Sequence, residues 1–234
     1  MIKTILMIGN GPSVASLDFK RVAVDSFGMN KAFSYFMKIG WFPTYHGCFD
    51  ELMCKQHSYD LIAYVKKAKK AGNNLKKVFL PYLVSEYKPR EFVETGWTPP
   101  TFEFTLKKDR DRGFYNVGGT GCCCCQIAID MGYTRLILIG QDLNFKKEQN
   151  TKNISQNQIK LVGQPSNVNY GIPDYLKVGD VFNNQRPEQI LLPAWRHLSV
   201  WSKKNNIEVL NCSSESQIKN LFRYTTLEDA GVYG

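Results

Sequence analysis

The sequence predicts an α/β fold: a mostly parallel sheet with helices on both faces and a lid segment. Three observations predict it. The stretch TILMIGNGPSV runs from a nearly continuous apolar segment straight into a Gly-rich turn, the pattern of a buried parallel strand feeding a binding loop. The stretch from Gly113 to Phe145, GFYNVGGTGCCCCQIAIDMGYTRLILIGQDLNF, repeats that design with a Gly-rich loop, a small-residue helix, a turn at Gly132 and an apolar strand ending in Gly-Gln-Asp. Polar residues also recur at the ends of successive predicted strands, and loops at the carboxyl ends of parallel strands form the binding crevice of such folds. Together these suggest a nucleotide-type site at the strand ends.

The elements follow in order. Lys3 to Ile8 reads as a buried strand, Gly9 to Ser13 as its turn, and a helix is expected to start near Ser13 with Pro12 at a tolerated early position. Arg21 to Met29 contains a second strand ending at Asn30, and Lys31 to Ile39 a helix. Thr44 to Phe49 is a third strand ending at Asp50; in extended chain His46, Cys48 and Asp50 share one face. Ser58 to Ala71 has helical spacing, with Leu61, Ile62, Val65 and Ala68 opposite its lysines, and Gly72 stops it. Lys77 to Leu80 is a fourth strand, and Val84 to Tyr115 an expected, largely irregular excursion interrupted by Pro89, Pro99 and Pro100. Thr120 to Met131 is a helix and Arg135 to Ile139 a strand. Asn144 to Asn169 is polar and without periodicity, the pattern of a mobile loop or lid. Pro193 to Lys204 is a helix and Ile207 to Asn211 a closing strand. Residues 1–143 are thus expected to form the nucleotide-binding core, 144–192 the lid, and 193–234 the helix and strand that complete the core.

Composition narrows the classes. A chain of 234 residues fits one large domain, or one domain with a lid. No apolar run is long enough for a membrane span or a signal peptide, so the N-terminus reads as a strand and the protein as cytoplasmic. The formal charge is +9, with lysines clustered at Lys66, Lys67, Lys69, Lys70, Lys76 and Lys77 and again at Lys107 and Lys108. Such clusters are mostly solvated helix faces; the sharper readings are an anionic substrate or a membrane surface, and nucleic acid ranks last because no binding motif accompanies the charge. Four of the seven cysteines are consecutive, Cys122 to Cys125, and residues 100° apart on a helix cannot surround one metal. They read as small buried hydrophobes in a reducing compartment.

Candidate site residues lie at the strand ends. Gly9, Asn10, Gly11, Pro12 and Ser13 present backbone N–H groups and a helix start suited to phosphate. Val14 stands where a Gly-x-Gly-x-x-Gly fingerprint needs its third glycine, and no Gly-Lys-Ser/Thr follows, so neither a dinucleotide nor a Walker site of those types is supported. Asn30 and Asp50 share the rim with Asn10, and Thr120, Gly121, Gln141 and Asp142 join them. Singly each is a turn residue or a helix cap; as a set they mark a pocket. Among the histidines, His46 shares a face with Asp50 and is the best acid/base candidate, against the reading of a satisfied core histidine. His46, Asp50 and Asp142 are the catalytic candidates, and no metal-ligand spacing is found.

IGNGPS, GMNKAF, PTYHGCFD and GGTG…QIAIDMGYTRLILIGQDLNF together resemble a Rossmann-like family. It includes the archaeal hydroxymethylpterin diphosphokinases and the flagellin-glycosylating motility-associated factors, and is related to the bacterial sialyltransferases of glycosyltransferase family 42. The resemblance covers most of residues 1–145 and continues loosely at NYGIPDYL and IEVLNCSSES. It implies transfer of an acidic sugar from a CMP-activated donor to an acceptor hydroxyl, with no cofactor required. Asn10 and Asn30 would hold the nucleotide's phosphate and sugar, Thr120 and Gly121 the sugar carboxylate or phosphate, and the lid hydroxyls Tyr170 and Tyr175 would stabilise the departing phosphate. Asp50 stands where the sialyltransferases place an asparagine, and their lid histidine has no counterpart between Asn144 and Arg196. The alternatives are pyrophosphoryl transfer of the pterin diphosphokinase type, which needs Mg²⁺, and a non-catalytic nucleotide-binding protein. Expected partners are a nucleotide sugar and a glycan acceptor, without nucleic acid; contact with a membrane surface and homo-oligomer formation are left open.

Overall fold

The computed structural model describes residues 2–72, 74–81, 92–95, 119–183, 189 and 191–234. Strand β1 (Thr4–Ile8) is followed by a short 3-10 turn (Pro12–Ser16), then β2 (Asp25–Met29), α1 (Ala32–Ile39), β3 (Tyr45–Gly47), α2 (Glu51–Gln56), α3 (Ser58–Lys70), β4 (Lys77–Pro81) and β5 (Phe92–Thr95). After α4 (Thr120–Asp130) and β6 (Arg135–Ile139) come three short strands, β7 (Thr151–Asn153), β8 (Gln158–Leu161) and β9 (Val181–Asn183). Helix α5 (Leu192–Lys204), β10 (Glu208–Asn211) and β11 (Arg223–Tyr224) close the chain. The Gly-rich loop of Gly113 to Gly118, the pair Lys107–Lys108 and most of the Val84–Tyr115 excursion lie outside the described residues.

The main sheet runs β11-β10-β6-β1-β2-β3-β4-β5 and every neighbouring pair is parallel. The chain lays β1 to β5 outward in one direction, then crosses back and lays β6, β10 and β11 in the other. The order therefore reverses between β1 and β6, the place where open α/β sheets bind ligands. Alternation along β1 assigns the two faces of the sheet. Leu6 and Ile8 join the core under α1 and α3, with Phe33, Phe36, Tyr64 and Leu61. Ile5 and Met7 join the core under α4 and α5, with Cys122 to Cys125, Trp195 and Leu198. The four cysteines are fully buried free thiols whose ionisation burial pushes up, so they act as the small hydrophobes their position on a tightly packed helix requires.

Several expectations are corrected. The Gly9–Ser13 turn feeds a five-residue 3-10 segment and not a helix, because Leu17 and Asp18 take extended backbone there. Within the Val84–Tyr115 excursion, expected to be largely irregular, the described residues form one strand, β5, at the sheet edge, which leaves that expectation standing. The polar stretch from Asn144 to Asn169 is not irregular: β7 and β8 pair within it, and β9 adds to β8 to make a three-stranded antiparallel sheet. That sheet is joined to the core by paired hydrogen bonds between the Gln56 amide and the backbone of Val181, at 2.6 and 2.8 Å. A buried Lys31–Asp180 ion pair at 2.5 Å lies beside them. Among the described residues, no helix is long and apolar enough to cross a membrane.

Candidate functional site

The two loops of the reversal point interlock. Gly9 N–H donates to Ile139 C=O and Gly11 N–H to Gly140 C=O, both at 2.8 Å. A Cβ on Gly9 would stand 2.3 Å from the Gly140 oxygen, so only glycine lets the two backbones approach this closely. Ser13 completes the lock. Its hydroxyl donates to Asp142 Oδ2 at 2.9 Å and accepts from Gly140 N–H at 2.9 Å, and its own N–H donates to the same carboxylate oxygen at 3.2 Å. With its one hydrogen given to Asp142, Ser13 accepts from Ser213 at 2.7 Å. Ser13 and Asp142 are thus a pin between β1 and β6. The phosphate-cradle reading of this turn is corrected: the N–H groups of Gly9, Gly11 and Ser13 all serve the fold.

Above the pin opens a cleft of about 550 Å³. Asn10, Asn30, Asp50, Thr120, Gln141 and Asp142 all line it, together with Gly9, Gly11, Pro12 and Gly121. Each arrives from the end of an element. Asn10 follows β1, Asn30 follows β2 in the left-handed conformation at φ 50°, which asparagine tolerates, and Asp50 lies just past β3. Thr120 and Gly121 open α4, whose first turn carries no acidic side chain and no side-chain cap. The N–H groups of its first turn and the helix dipole give this end of the cleft a positive character.

Hydrogen bonds orient the amides. Asn10 Nδ2 donates to Met29 C=O at 3.3 Å and to the Tyr175 hydroxyl at 3.2 Å, which leaves its buried Oδ1 without a donor. Thr120 Oγ1 donates to Asn30 Oδ1 at 2.9 Å. Gln141 Nε2 rests on the Met29 sulfur at 3.1 Å. Asp50 caps α2 by accepting from Met53 N–H at 3.1 Å, and burial pushes its carboxyl above the usual carboxylate range. Burial also raises Asp142, against the Ser13 hydrogen bonds that favour its charged form.

Three predicted residues stand elsewhere. His46 is fully buried, packed edge-on against Phe33 and Phe36, with Nε2 donating to Asn30 C=O at 2.8 Å. Burial lowers its pKa to about 4, so it is neutral at physiological pH and has no path to the cleft as acid or base. The face it shares with Cys48 is the one covered by α1 and α3. Tyr170 and Tyr175 stack on each other at 4.1 Å behind Asn10, and neither borders the cleft. Tyr175 therefore orients Asn10, and the expectation that these two hydroxyls reach a departing phosphate is corrected.

Other lining residues were not singled out from the sequence. Asn144, Asn157, Asn169 and Asn183 come from the three-stranded sheet and its approaches, and Phe49, Phe145, Leu191 and Trp195 supply apolar wall. The Asn-rich composition of the 144–169 stretch was the available signal for Asn144, Asn157 and Asn169; Asn183 and the second group carry none of that kind. Among the described residues the lining holds no Lys, Arg or His, despite the chain's charge of +9. No group of three His, Cys, Asp or Glu among the described residues could hold a metal ion.

No protein family matches the sequence, and no curated protein does. Solved structures do match in fold. The sialyltransferase CST-II with trisaccharide acceptor and CMP aligns with a TM-score of 0.55 at 15% identity, over 95% of this chain and 86% of that one. The Campylobacter jejuni sialyltransferase CstII with cytidine-5′-monophosphate aligns at 0.54 and 17% identity, over 95% of this chain and 84% of that one. The MAf glycosyltransferase from Magnetospirillum magneticum AMB-1 aligns at 0.55 and 15% identity, over 97% of this chain but only 34% of that protein. The chain therefore has the α/β fold seen in these glycosyltransferases.

Proposed function

We propose that this chain is a glycosyltransferase that moves a sugar, of the acidic class, from a CMP-activated donor to an acceptor hydroxyl. One observation carries the reading: Asn10, Asn30, Thr120 and Gln141, from the ends of four elements, converge on a single cleft at the sheet's reversal point. Asp50 and Asp142 share it. The fold likeness to sialyltransferases, two of them described with CMP, favours this donor class.

In this reading the acceptor oxygen bonds to the anomeric carbon, the bond from that carbon to the phosphate oxygen breaks, and CMP leaves with the electron pair, its phosphate taking up the proton that the acceptor hydroxyl releases. The start of α4 at Gly119 to Gly121 receives the anionic group, because first-turn N–H groups and the helix dipole stabilise negative charge there. The Ser13–Asp142 pin sets the distance between the loops of β1 and β6. It holds Asp142 as a positioning residue, and His46 keeps no catalytic role.

A thermal-shift screen of CMP, CDP, ATP, GTP and UDP and their sugar conjugates, with and without Mg²⁺, tests the proposal, since stabilisation grows with ligand concentration over Kd. The expected result is stabilisation by CMP, and CMP release on mixing with a CMP-linked acidic sugar and a glycan acceptor. Stabilisation by ATP and Mg²⁺ alone, with AMP formed, would replace it with the diphosphokinase reading.

A further inference from the structure

The chain's positive charge has a direction. In an all-parallel sheet every strand begins on one edge, and each helix that feeds a following strand ends there. Lysines occupy the last turns of these helices: Lys38 in α1, Lys67, Lys69 and Lys70 in α3, and Lys203 and Lys204 in α5. They continue at the strand starts, with Lys3 just before β1 and Lys76 and Lys77 at the approach to β4, and all of these lysines are exposed. Two hydrogen bonds tie the element ends together. Lys67 Nζ donates to Met37 C=O near the end of α1 at 2.7 Å, and Lys3 Nζ to Met131 C=O just past α4 at 3.1 Å. Against the lysines stand Asp25, Asp130 and Glu208 at the same element ends, with Glu208 held by Arg135 and Arg223 and Asp25 by Tyr133 and Lys76. Lys38 also meets the exposed Asp174. The cleft opens at the other edge, a strand length of roughly 17 Å away, and its lining holds no Lys, Arg or His among the described residues. A ligand in the cleft therefore does not account for the lysines.

The helix dipole favours lysine in a last turn, but it does not act on Lys3, Lys76 or Lys77. Apolar side chains also stand exposed within the basic edge. Ile2 adjoins Lys3 and is 72% exposed, Ile39 adjoins Lys38 and is 40% exposed, and Val200, 70% exposed, lies one helical turn before Lys203 and Lys204. A lipid surface satisfies both kinds of group: anionic headgroups attract the lysines, and the boundary beneath them accepts the apolar side chains. Nucleic acid offers the lysines phosphates but gives Ile2, Ile39 and Val200 no hydrocarbon to enter.

We propose that the edge of the sheet where the strands begin is a docking surface for an anionic lipid leaflet. The lysines supply the attraction, Ile2, Ile39 and Val200 enter the headgroup boundary, and the cleft opens away from the membrane. The inference goes beyond the nucleotide-sugar reading and does not depend on it.

The test is co-sedimentation of the chain with vesicles of phosphatidylcholine alone and of equal parts phosphatidylcholine and phosphatidylserine, at low and high salt. Wild type is compared with two triple variants. One combines Lys70→Gln, Lys77→Gln and Lys204→Gln on the basic edge. The other combines Lys147→Gln, Lys152→Gln and Lys160→Gln, exposed lysines in and beside the three-stranded sheet. Both remove the same charge, and unchanged melting checks that both fold. Each lysine near an anionic leaflet strengthens binding about fivefold, so the first variant should lose about a hundredfold and the second should bind as wild type does. Wild-type binding should require phosphatidylserine and weaken in high salt. No binding of wild type to the phosphatidylserine vesicles overturns the proposal. Equal losses in the two variants overturn it too, since net charge alone would then carry the binding. Tighter binding to a single-stranded RNA homopolymer than to the vesicles overturns it in favour of nucleic acid. The CMP response of wild type, read without vesicles, stands or falls separately.

Discussion

At the scale of single residues, position relative to the strand end decides between chemistry and packing. His46 lies inside β3, on the face that Phe33, Phe36 and Tyr64 cover, and its ring is buried in the neutral state. Its folded pKa of about 4 lies below the ordinary value of 6.5, so between these values the unfolded chain binds the extra proton. Stability is therefore complete above pH 6.5 and falls by about 3 kcal/mol as the pH drops to 4. Urea titrations across that range should show the slope in wild type and a flatter one in His46→Gln; equal slopes would place the ring in water. Asn10, two residues past β1, behaves in the opposite way. If Asn10 holds the nucleotide as proposed, replacing it with Ala should weaken CMP binding by roughly 1–3 kcal/mol, read by calorimetry. Both residues were legible as polar groups at the right strands. The difference between them was not, because alternation along a strand names a face without naming what covers it.

At the scale of elements, apolar continuity made the central strands readable, and its absence hid the peripheral ones. The apolar runs of β1 and β6 gave their extents directly, since strands buried on both faces have no polar interruption. The strands TKN, QIKL and VFN are short and mostly part-exposed, so neither burial nor period two marks them. The contact that ties their sheet to the core was equally hidden. Lys31 and Asp180 are 149 residues apart, and nothing local distinguishes Lys31 from the exposed lysines of α3. Burial alone would raise Asp180; hydrogen bonds from His57 and Lys31 outweigh it and hold the carboxyl at about 2. Replacing Asp180 with Asn leaves the Lys31 ammonium buried beside a neutral group, and should cost about 3 kcal/mol in denaturant unfolding. The paired change Lys31→Met with Asp180→Leu should recover most of that loss, because the desolvation of both charges disappears with them. A single variant as stable as wild type would mean the pair is solvated. Helix α4 gives a chemical test of packing. Cys122 to Cys125 should resist a thiol reagent in the folded protein and react when it is unfolded in denaturant, since the buried thiols cannot ionise to the nucleophilic thiolate.

At the scale of the whole molecule, the two halves of the sheet meet at one point, and the cleft exists because they meet there. The sequence marked both loops, through Gly-Asn-Gly-Pro-Ser after β1 and Gly-Gln-Asp after β6, but not that they touch. Pairing of β1 with β6 joins residues about 130 positions apart, and no local pattern encodes it. The contact also reassigns the glycines: their N–H groups hold the opposite loop, while the N-terminus of α4 faces the cleft from the other side. Gly9→Ala tests this arrangement. The added Cβ would meet the oxygen and carbon of Gly140 at 2.3 and 2.7 Å, and both are backbone atoms that no rotamer change can move aside. Either the two loops part or the strands shift, and overpacking of this kind should cost about 1–3 kcal/mol in denaturant unfolding. Parting the loops would also separate Asn10 from Gln141, so nucleotide-induced stabilisation should vanish even at temperatures where the variant remains folded. A Gly9→Ala protein with wild-type stability and wild-type nucleotide response would show that the two loops do not interlock, and the cleft built on that contact would be lost with it.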